Sequence, residues 1–427
     1  MTSEIALLNT QAVALAADSA VTVRAPGGPK VYNTANKLFM LSKHAPVGAM
    51  VFGAAEVTGV PWETVIKTFR RDLGTTRLDH VNQYAQRLFE FMERETLLFP
   101  PEAQHADIGG QAHGYCQMLV EELETSLETL LASQGSASES DIRDLLRPRI
   151  AARLREVQSM ADLPGFDPKH AARVVARFRS AIDSGISAAF ERYPLTAPMR
   201  SQLRRLIALI PQKDIFPLDA SGLVIAGFGE QEYFPALCAH QIHGAWLSKV
   251  KLKQLHDIRV GRDCQASLIP FAQSEMVSLF MEGVHPQYRE TLQTALRSFL
   301  AGLPEAIKPV LGLSDSEFTT FAGKFTIAAD QIEERFTKQL ADYSSHSHAG
   351  PITDVVAILP KDELAAMAEA LVNLTSFKRR VTMDVETVGG PIDVAVISKG
   401  DGLVWIKRKH YFASELNPQF FETYQER

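Results

Sequence analysis

Two short apolar runs near the start of the chain, residues 5–8 and 13–17, constrain the fold more than any other stretch. Each is too short for a helix, and the polar Asn9-Thr10-Gln11 between them has turn chemistry, so together they predict a hairpin. Neither run alternates polar with apolar residues, so strands made from them must be covered on both faces. A hairpin of that kind needs layers above and below it. The chain has the material: 427 residues, 46% of them apolar, exceed what one hydrophobic core usually holds.

The remaining periodicity supplies those layers. Residues 38–41 and 47–52 predict a second hairpin across Ser42-Lys43-His44-Ala45-Pro46. A small-residue step, Gly53-Ala54-Ala55-Glu56, then enters a helical pattern carried by Val57, Val60, Val65, Ile66 and Phe69. From about 79 to 212 the spacing is helical throughout, with stripes such as Val81, Tyr84, Leu88 and Met92 that read as core packing. Ser138-Glu139-Ser140-Asp141 is a capping sequence inside that region. Residues 222–229 return to strand, with 233–242 as an extended partner. Helical spacing resumes at 272–281 and 287–342, residues 344–350 read as a polar loop, and the segment 359–364 opens a helix that runs to about 374. Residues 394–397 and 403–406 close the chain as a hairpin. Hairpins separated by helical blocks predict an α+β fold of antiparallel sheets covered by helices, not alternating βαβ units.

Charge and cysteine usage exclude several functions. The formal net charge is −6, and the basic clusters at 249–253, 378–380 and 407–409 are short enough to be solvated faces, so no nucleic acid is expected as a partner. Cys116, Cys238 and Cys264 are too few and too scattered for a disulfide framework, which points to a reducing compartment. With neither a basic leader nor an apolar run long enough to cross a bilayer, the expected location is cytoplasmic, without membrane association. Cys238, His240 and His243 have metal-like spacing, but an extended run puts His243 on the opposite face, so packing is the expected role. His346 and His348 are expected to be solvated, Asp362-Glu363 to meet a helix dipole, and Gly227-Phe228-Gly229 is too short for a dinucleotide fingerprint. No metal or organic cofactor is implied.

The chemistry of the opening stretch centres on Thr2. Its side chain is small, so removal of Met1 is expected and leaves Thr2 with a free α-amine whose ordinary pKa is about 8. That amine can accept the proton of its own residue's hydroxyl, directly or through water, so the nucleophile carries its base. A nearby lysine keeps more of the amine neutral by repulsion, and a carboxylate must hold the lysine charged and in place. Lys37 and Asp18 are the right residue types at strand ends. Backbone N–H groups of Phe52 and Gly53, at a strand-to-helix step, are the candidate oxyanion donors. On spacing alone, a Thr at position 2, an Asp closing one strand and a Lys opening another are equally ordinary.

The opening also resembles the proteasome β-subunit and HslV family of N-terminal threonine hydrolases. Thr2 and Asp18 keep that family's separation, Leu15-Ala16-Ala17-Asp18-Ser19 is similar to its signature, and Asn36-Lys37-Leu38-Phe39 is similar to the segment around its catalytic lysine. Gly53-Ala54-Ala55-Glu56, the run 223–228, Leu359-Pro360-Lys361-Asp362-Glu363-Leu364 and Gly389-Gly390-Pro391-Ile392-Asp393-Val394 resemble later family segments in the same order. About half of the chain is covered. The resemblance implies a four-layer αββα sandwich in which Thr2 is the nucleophile, Lys37 tunes its amine and Asp18 holds Lys37. Asp384 and Thr387 have the family's supporting spacing but are separated by Val388 from Gly389-Gly390, and Ser274 stands in for a second serine without its flanking glycines. Phe52 occupies a position where the family prefers Gly, and its ring is expected to narrow a substrate cleft.

A family subunit is roughly half this length. The expected division is therefore 1–99, 216–284 and 351–427 as core, with helical insertions at 100–215 and 285–350. The resemblance implies a threonine peptidase or amidohydrolase acting on a peptide, protein or smaller amide, forming homo-oligomers, and allows an ATP-driven unfoldase partner. The alternative is a catalytically inactive scaffold or regulator that kept the fold, which the insertions and missing glycines favour.

Overall fold

The computed structural model describes residues 2–25, 28–217, 220–382 and 389–419. β1 (Ser3–Asn9) and β2 (Ala12–Ala17) form the expected hairpin, antiparallel from Leu8 opposite Val13 to Glu4 opposite Ala17. A ribbon of β3 (Val21–Ala25) and β4 (Gly28–Tyr32) follows, then β5 (Leu38–Met40), β6 (Val47–Phe52) and a small hairpin of β7 (Glu56–Val57) and β8 (Val60–Pro61). The helical block is α1 (Trp62–Leu73), α2 (Val81–Arg94), α3 (Pro101–Gln134), α4 (Glu139–Ser159), α5 (His170–Ala189) and α6 (Ala197–Leu209). Strands β9 (Ser221–Gly227), β10 (Ala236–Trp246), β11 (Lys249–Arg259) and β12 (Ala266–Ala272) come next. Helices α7 (Glu275–Glu282), α8 (Pro286–Leu311), α9 (Asp315–Ser344), α10 (Gly350–Ile358) and α11 (Lys361–Val381) lead to a closing hairpin, β13 (Asp393–Ser398) and β14 (Gly402–Lys407).

Several expectations are corrected. The helix expected from Gly53 starts only at Trp62, because Thr58 and Gly59, both at positive φ (49° and 74°), turn β7 into β8. The apolar spacing of Val57 and Val60 suits a hairpin as well as a helix, and Gly59 and Pro61 decide against the helix. The basic run at 249–253 is part of a strand in which Lys253 is exposed but Lys251 is buried. The Lys251 amine donates to the carbonyls of Ile210 (2.8 Å) and Ile215 and lies 4.7 Å from the Phe216 ring centre. Burial pushes the Lys251 amine down to about 7. The loop expected at 344–350 is helical instead: a π-helical segment, Ser345–Ala349, joins α9 to α10. Pro351 falls just after this segment, in the first turn of α10. His346 is exposed, whereas His348 is half-buried, with its ring 5.7 Å from that of Tyr343.

The chain divides into two compact units. The first comprises Met1–Leu38, Glu232–Ala236 and Ile258–Arg427. Its five-stranded sheet has the order β12-β1-β2-β13-β14 and is antiparallel at every step. The N-terminal hairpin is thus interior to the sheet, which explains why its strands do not alternate: every residue of β1 and β2 is buried. On one face Ile5, Leu7, Ala12, Ala14, Ala16, Val394 and Val396 pack with Val277 of α7, Val356 of α10 and Leu364, Ala368, Leu371 and Val372 of α11. The small alanines let α11 approach the sheet closely.

The second unit comprises Phe39–Gln231 and Leu237–Asp257. Its sheet has the order β11-β10-β9-β6-β5. Helices α3 to α6 form a core of their own around Ile108, Leu119, Leu123, Ile150, Phe178, Ile182 and Leu206, joined by Trp246 from β10. The expected cap at Ser138 is present, with its hydroxyl accepting from the Asp141 N–H. Between β10 and β11 the two-residue turn has both central residues at positive φ, Leu247 at 52° and Ser248 at 56°. Neither is a residue that tolerates this conformation well. Leu247 is half-buried against the helical core, whereas Ser248 is exposed. Ser248→Gly is therefore expected to raise unfolding free energy by about 1 kcal/mol. Urea unfolding measures this, and a loss of stability would contradict the strain assigned to the turn.

Candidate functional site

Strand geometry assembles the site. Side chains two apart on a strand share a face, so Thr2, just ahead of β1, and Glu4, within it, project together. Asp18 follows β2 directly and lies across from Ser3, whose carbonyl accepts the Asp18 N–H at 3.1 Å. Its carboxylate accepts three backbone N–H groups: Ser3 at 3.0 Å on Oδ1, and Ala20 at 3.2 Å and Gly389 at 3.0 Å on Oδ2. Lys37, one residue ahead of β5, donates its ammonium to Asp18 Oδ1 and also lies 3.0 Å from Glu4 Oε1. The Thr2 hydroxyl donates to Glu4 Oε2 at 3.0 Å. Thr2, Glu4, Asp18 and Lys37 are 3, 1, 1 and 6% exposed, so their charges interact with one another and not with bulk water.

The sequence expectation of Thr2, Asp18 and Lys37 in one place is met, but with a fourth member. Glu4 stands between the hydroxyl and the lysine. Its position inside a strand, not after one, hides it from a reading based on acids that close strands, although a lone charge directly ahead of the apolar run 5–8, two residues after Thr2, is itself a signal. Burial is the largest influence on Glu4 and raises its carboxyl. Lys37 opposes this by charge and hydrogen bonding, Asp18 adds to it by repulsion, and the hydrogen bond from Thr2 opposes it slightly. The balance sits at about 7, against an ordinary 4.5. Oε1 of Glu4 faces Lys37 at ion-pair distance but takes no well-aligned hydrogen bond among the described residues. The contact is best treated as a charge pair, which depends little on angle.

A stability consequence follows. Because the folded state binds the Glu4 proton more tightly than the unfolded chain does, this contribution is fully present below about 4.5 and is lost as pH rises through about 7. The difference of 2.5 pH units corresponds to about 3 kcal/mol. Glu4→Gln, neutral at every pH, is expected to gain on the wild type by about that amount between pH 4.5 and 8. Chemical denaturation across that range measures the gap, and a constant gap contradicts the assignment.

The supporting residues divide. Ser274 does begin a helix, as the N-terminal flank of α7, but its side chain makes no capping bond. It follows Gln273, whose N–H donates to the Thr2 carbonyl at 3.2 Å, so the segment after β12 runs beside Thr2. Ala272, at the end of β12, has φ of +60°, a glycine-like conformation without a glycine. Asp384 and Thr387 lie outside the described residues. Phe52 and Gly53 belong to the second unit. The Phe52 ring covers Gly222, its partner across the β6–β9 ladder, where an added Cβ would lie 2.0 Å from the ring.

Cys238 and His240 line a cavity of about 340 Å³ together with Phe89, Glu90, Lys249 and Asp257, and the His240 ring meets that of Phe89 edge-on at 4.9 Å. His243 meets Trp246 in the same manner at 5.5 Å. Burial holds His240 down to about 4 and His243 to about 3, so both rings are neutral packing groups at pH 7. Among the described residues, no group of three or more His, Cys, Asp or Glu is placed to hold a metal ion.

No protein-family model matches the chain, and no curated protein matches it in sequence.

Proposed function

We propose that the chain is an N-terminal threonine hydrolase built on a four-layer αββα sandwich, acting on an amide in a peptide, a protein or a smaller molecule. The observation that carries the reading is the buried constellation of Thr2 with Lys37 and two carboxylates. A hydroxyl, a lysine and two acids gathered out of water are costly to bury, since each charge loses its hydration. The antiparallel sheet with the N-terminal hairpin in its interior, helix-covered on one face, supports the fold part of the reading. Catalysis would begin with removal of Met1, which converts the Thr2 amide nitrogen into an amine. Attack by Thr2 Oγ1 on the substrate carbonyl would form an acyl-ester that water then hydrolyses. Homo-oligomers and an ATP-driven unfoldase partner belong to the same proposal, as does cytoplasmic location.

The experiment is covalent labelling with a threonine-reactive β-lactone, read by intact mass and peptide mapping. Wild type is expected to lack Met1 and to carry one label on Thr2, while Thr2→Ala carries none. Retention of Met1, or equal labelling of both chains, would favour the inactive scaffold.

A further inference from the structure

We propose that Glu4 is the proton acceptor for the Thr2 hydroxyl, a role that rests on the reading of Thr2 as nucleophile and does not require the α-amine to act as base. The geometry already holds the first step: the hydroxyl donates to Glu4 Oε2 at 3.0 Å, within the reach of a general base. The two carboxylates of the site differ in what surrounds them. Asp18 has its oxygens committed to three backbone N–H groups and to Lys37. Among the described residues Glu4 receives the Thr2 hydroxyl and the off-line ammonium of Lys37. Glu4 can therefore change protonation state without breaking backbone hydrogen bonds, and Lys37 keeps Asp18 as its counter-charge when Glu4 becomes neutral. Among the described residues the charged groups acting on Glu4 are Lys37 and Asp18, and its cross-strand neighbours, Ala17 of β2 and Phe271 of β12, carry no charge; removal of Met1 adds the α-amine of Thr2 to that set. A buried carboxyl that titrates at about 7 is matched to proton transfer at neutral pH.

The proton balance closes. As Thr2 Oγ1 bonds to the acyl carbon, its proton passes to Glu4 Oε2 and the carbonyl π pair moves onto oxygen. Collapse of the tetrahedral species breaks the C–N bond, and the departing amine takes the proton from Glu4. In the second half, water attacks the Thr2 ester and leaves its proton on Glu4. When the ester C–O bond breaks, that proton returns to Oγ1 and the free acid departs.

The test measures the rate of β-lactone labelling at Thr2 from pH 5 to 9 in wild type, Glu4→Gln and Glu4→Asp. Wild type is expected to show a rate that rises through a midpoint near pH 7. Glu4→Gln should lose that limb and fall by about 100-fold or more, with Glu4→Asp recovering part of the rate. A Glu4→Gln chain that labels within threefold of wild type, or one whose rate falls uniformly while the limb stays in place, overturns the role of Glu4 and leaves Thr2 standing. A wild type that does not label at Thr2 removes the hydrolase reading, and the base with it. A second measurement needs no Glu4 variant. The carbon-13 carboxyl resonance of Glu4 should titrate near 7 in wild type and higher in Thr2→Val, where the hydrogen bond that favours the anion is gone. Titration near 4.5, unmoved by Thr2→Val, overturns the proposal.

Discussion

Lys37→Met is expected to destabilise the folded chain by about 3–5 kcal/mol at pH 7, the range seen when one partner of a buried ion pair is removed. Lys37 is 6% exposed and is the cation facing both Asp18 and Glu4. Methionine fills similar space, so the loss is electrostatic and not a cavity. Without the ammonium, two carboxylates share a site that water scarcely reaches, and each raises the cost of ionising the other. The chain has one way to relieve this, which is to protonate Glu4. The deficit should therefore shrink by more than half when pH falls from 7 to 5. Urea unfolding of both chains at the two pH values reads this directly. A deficit that is small at pH 7, or one that grows on acidification, would show that Lys37 does not neutralise the pair.

Gly53→Ala should cost about 3 kcal/mol or more, because strained backbone and overpacking combine at this position. Gly53 has φ of +75°, and a Cβ there would lie 2.2 Å from the Ala220 carbonyl oxygen. That oxygen cannot step aside cheaply. The next residue, Ser221, is fixed by its hydroxyl to the carbonyls of Ala54 (3.2 Å) and Glu56 (2.9 Å). Gly59 supplies the control: its φ is +74°, but nothing lies within 4 Å of an added Cβ. Gly59→Ala should cost only about 1 kcal/mol, the conformational share alone. Equal losses at the two positions would mean that the close approach to Ala220 contributes nothing.

The parts of this protein that were legible in its sequence are those where one physical signal dominates. The N-terminal and C-terminal hairpins are apolar runs bounded by turn residues, and they form at 3–17 and 393–407 much as expected. The helical block from 79 to 212 announces itself by spacing. β11 was lost because Lys249, Lys251 and Lys253 look like a solvated cluster. The carbonyls that hold Lys251 come from Ile210 and Ile215, about forty residues away, and no local pattern reports them. The segment 345–349 misled by composition, since serine and histidine mark loops only when no helix on either side carries through them. In the site, Thr2, Asp18 and Lys37 were placed by residue type and strand ends. Glu4 is not legible in this way, because its role depends on sharing a strand face with Thr2 and on the approach of Lys37 from a distant part of the chain.

The position of the N-terminal hairpin within its sheet also fixes an order of events during synthesis. β1 pairs on its outer side with β12, and β2 with β13, so Ser3 waits for Ala272 and Ala17 for Asp393. At ribosomal speeds of roughly 5–20 residues per second, the first of those partners emerges tens of seconds after the hairpin itself. During that interval both edges of a largely apolar two-stranded ribbon stand open, a form prone to pairing with foreign strands. The same delay governs the cluster around Thr2. Asp18 lacks its Gly389 hydrogen bond until nearly the whole chain has been made. The residues of this buried cluster are thus made at the beginning of translation, and its last backbone hydrogen bond closes at the end.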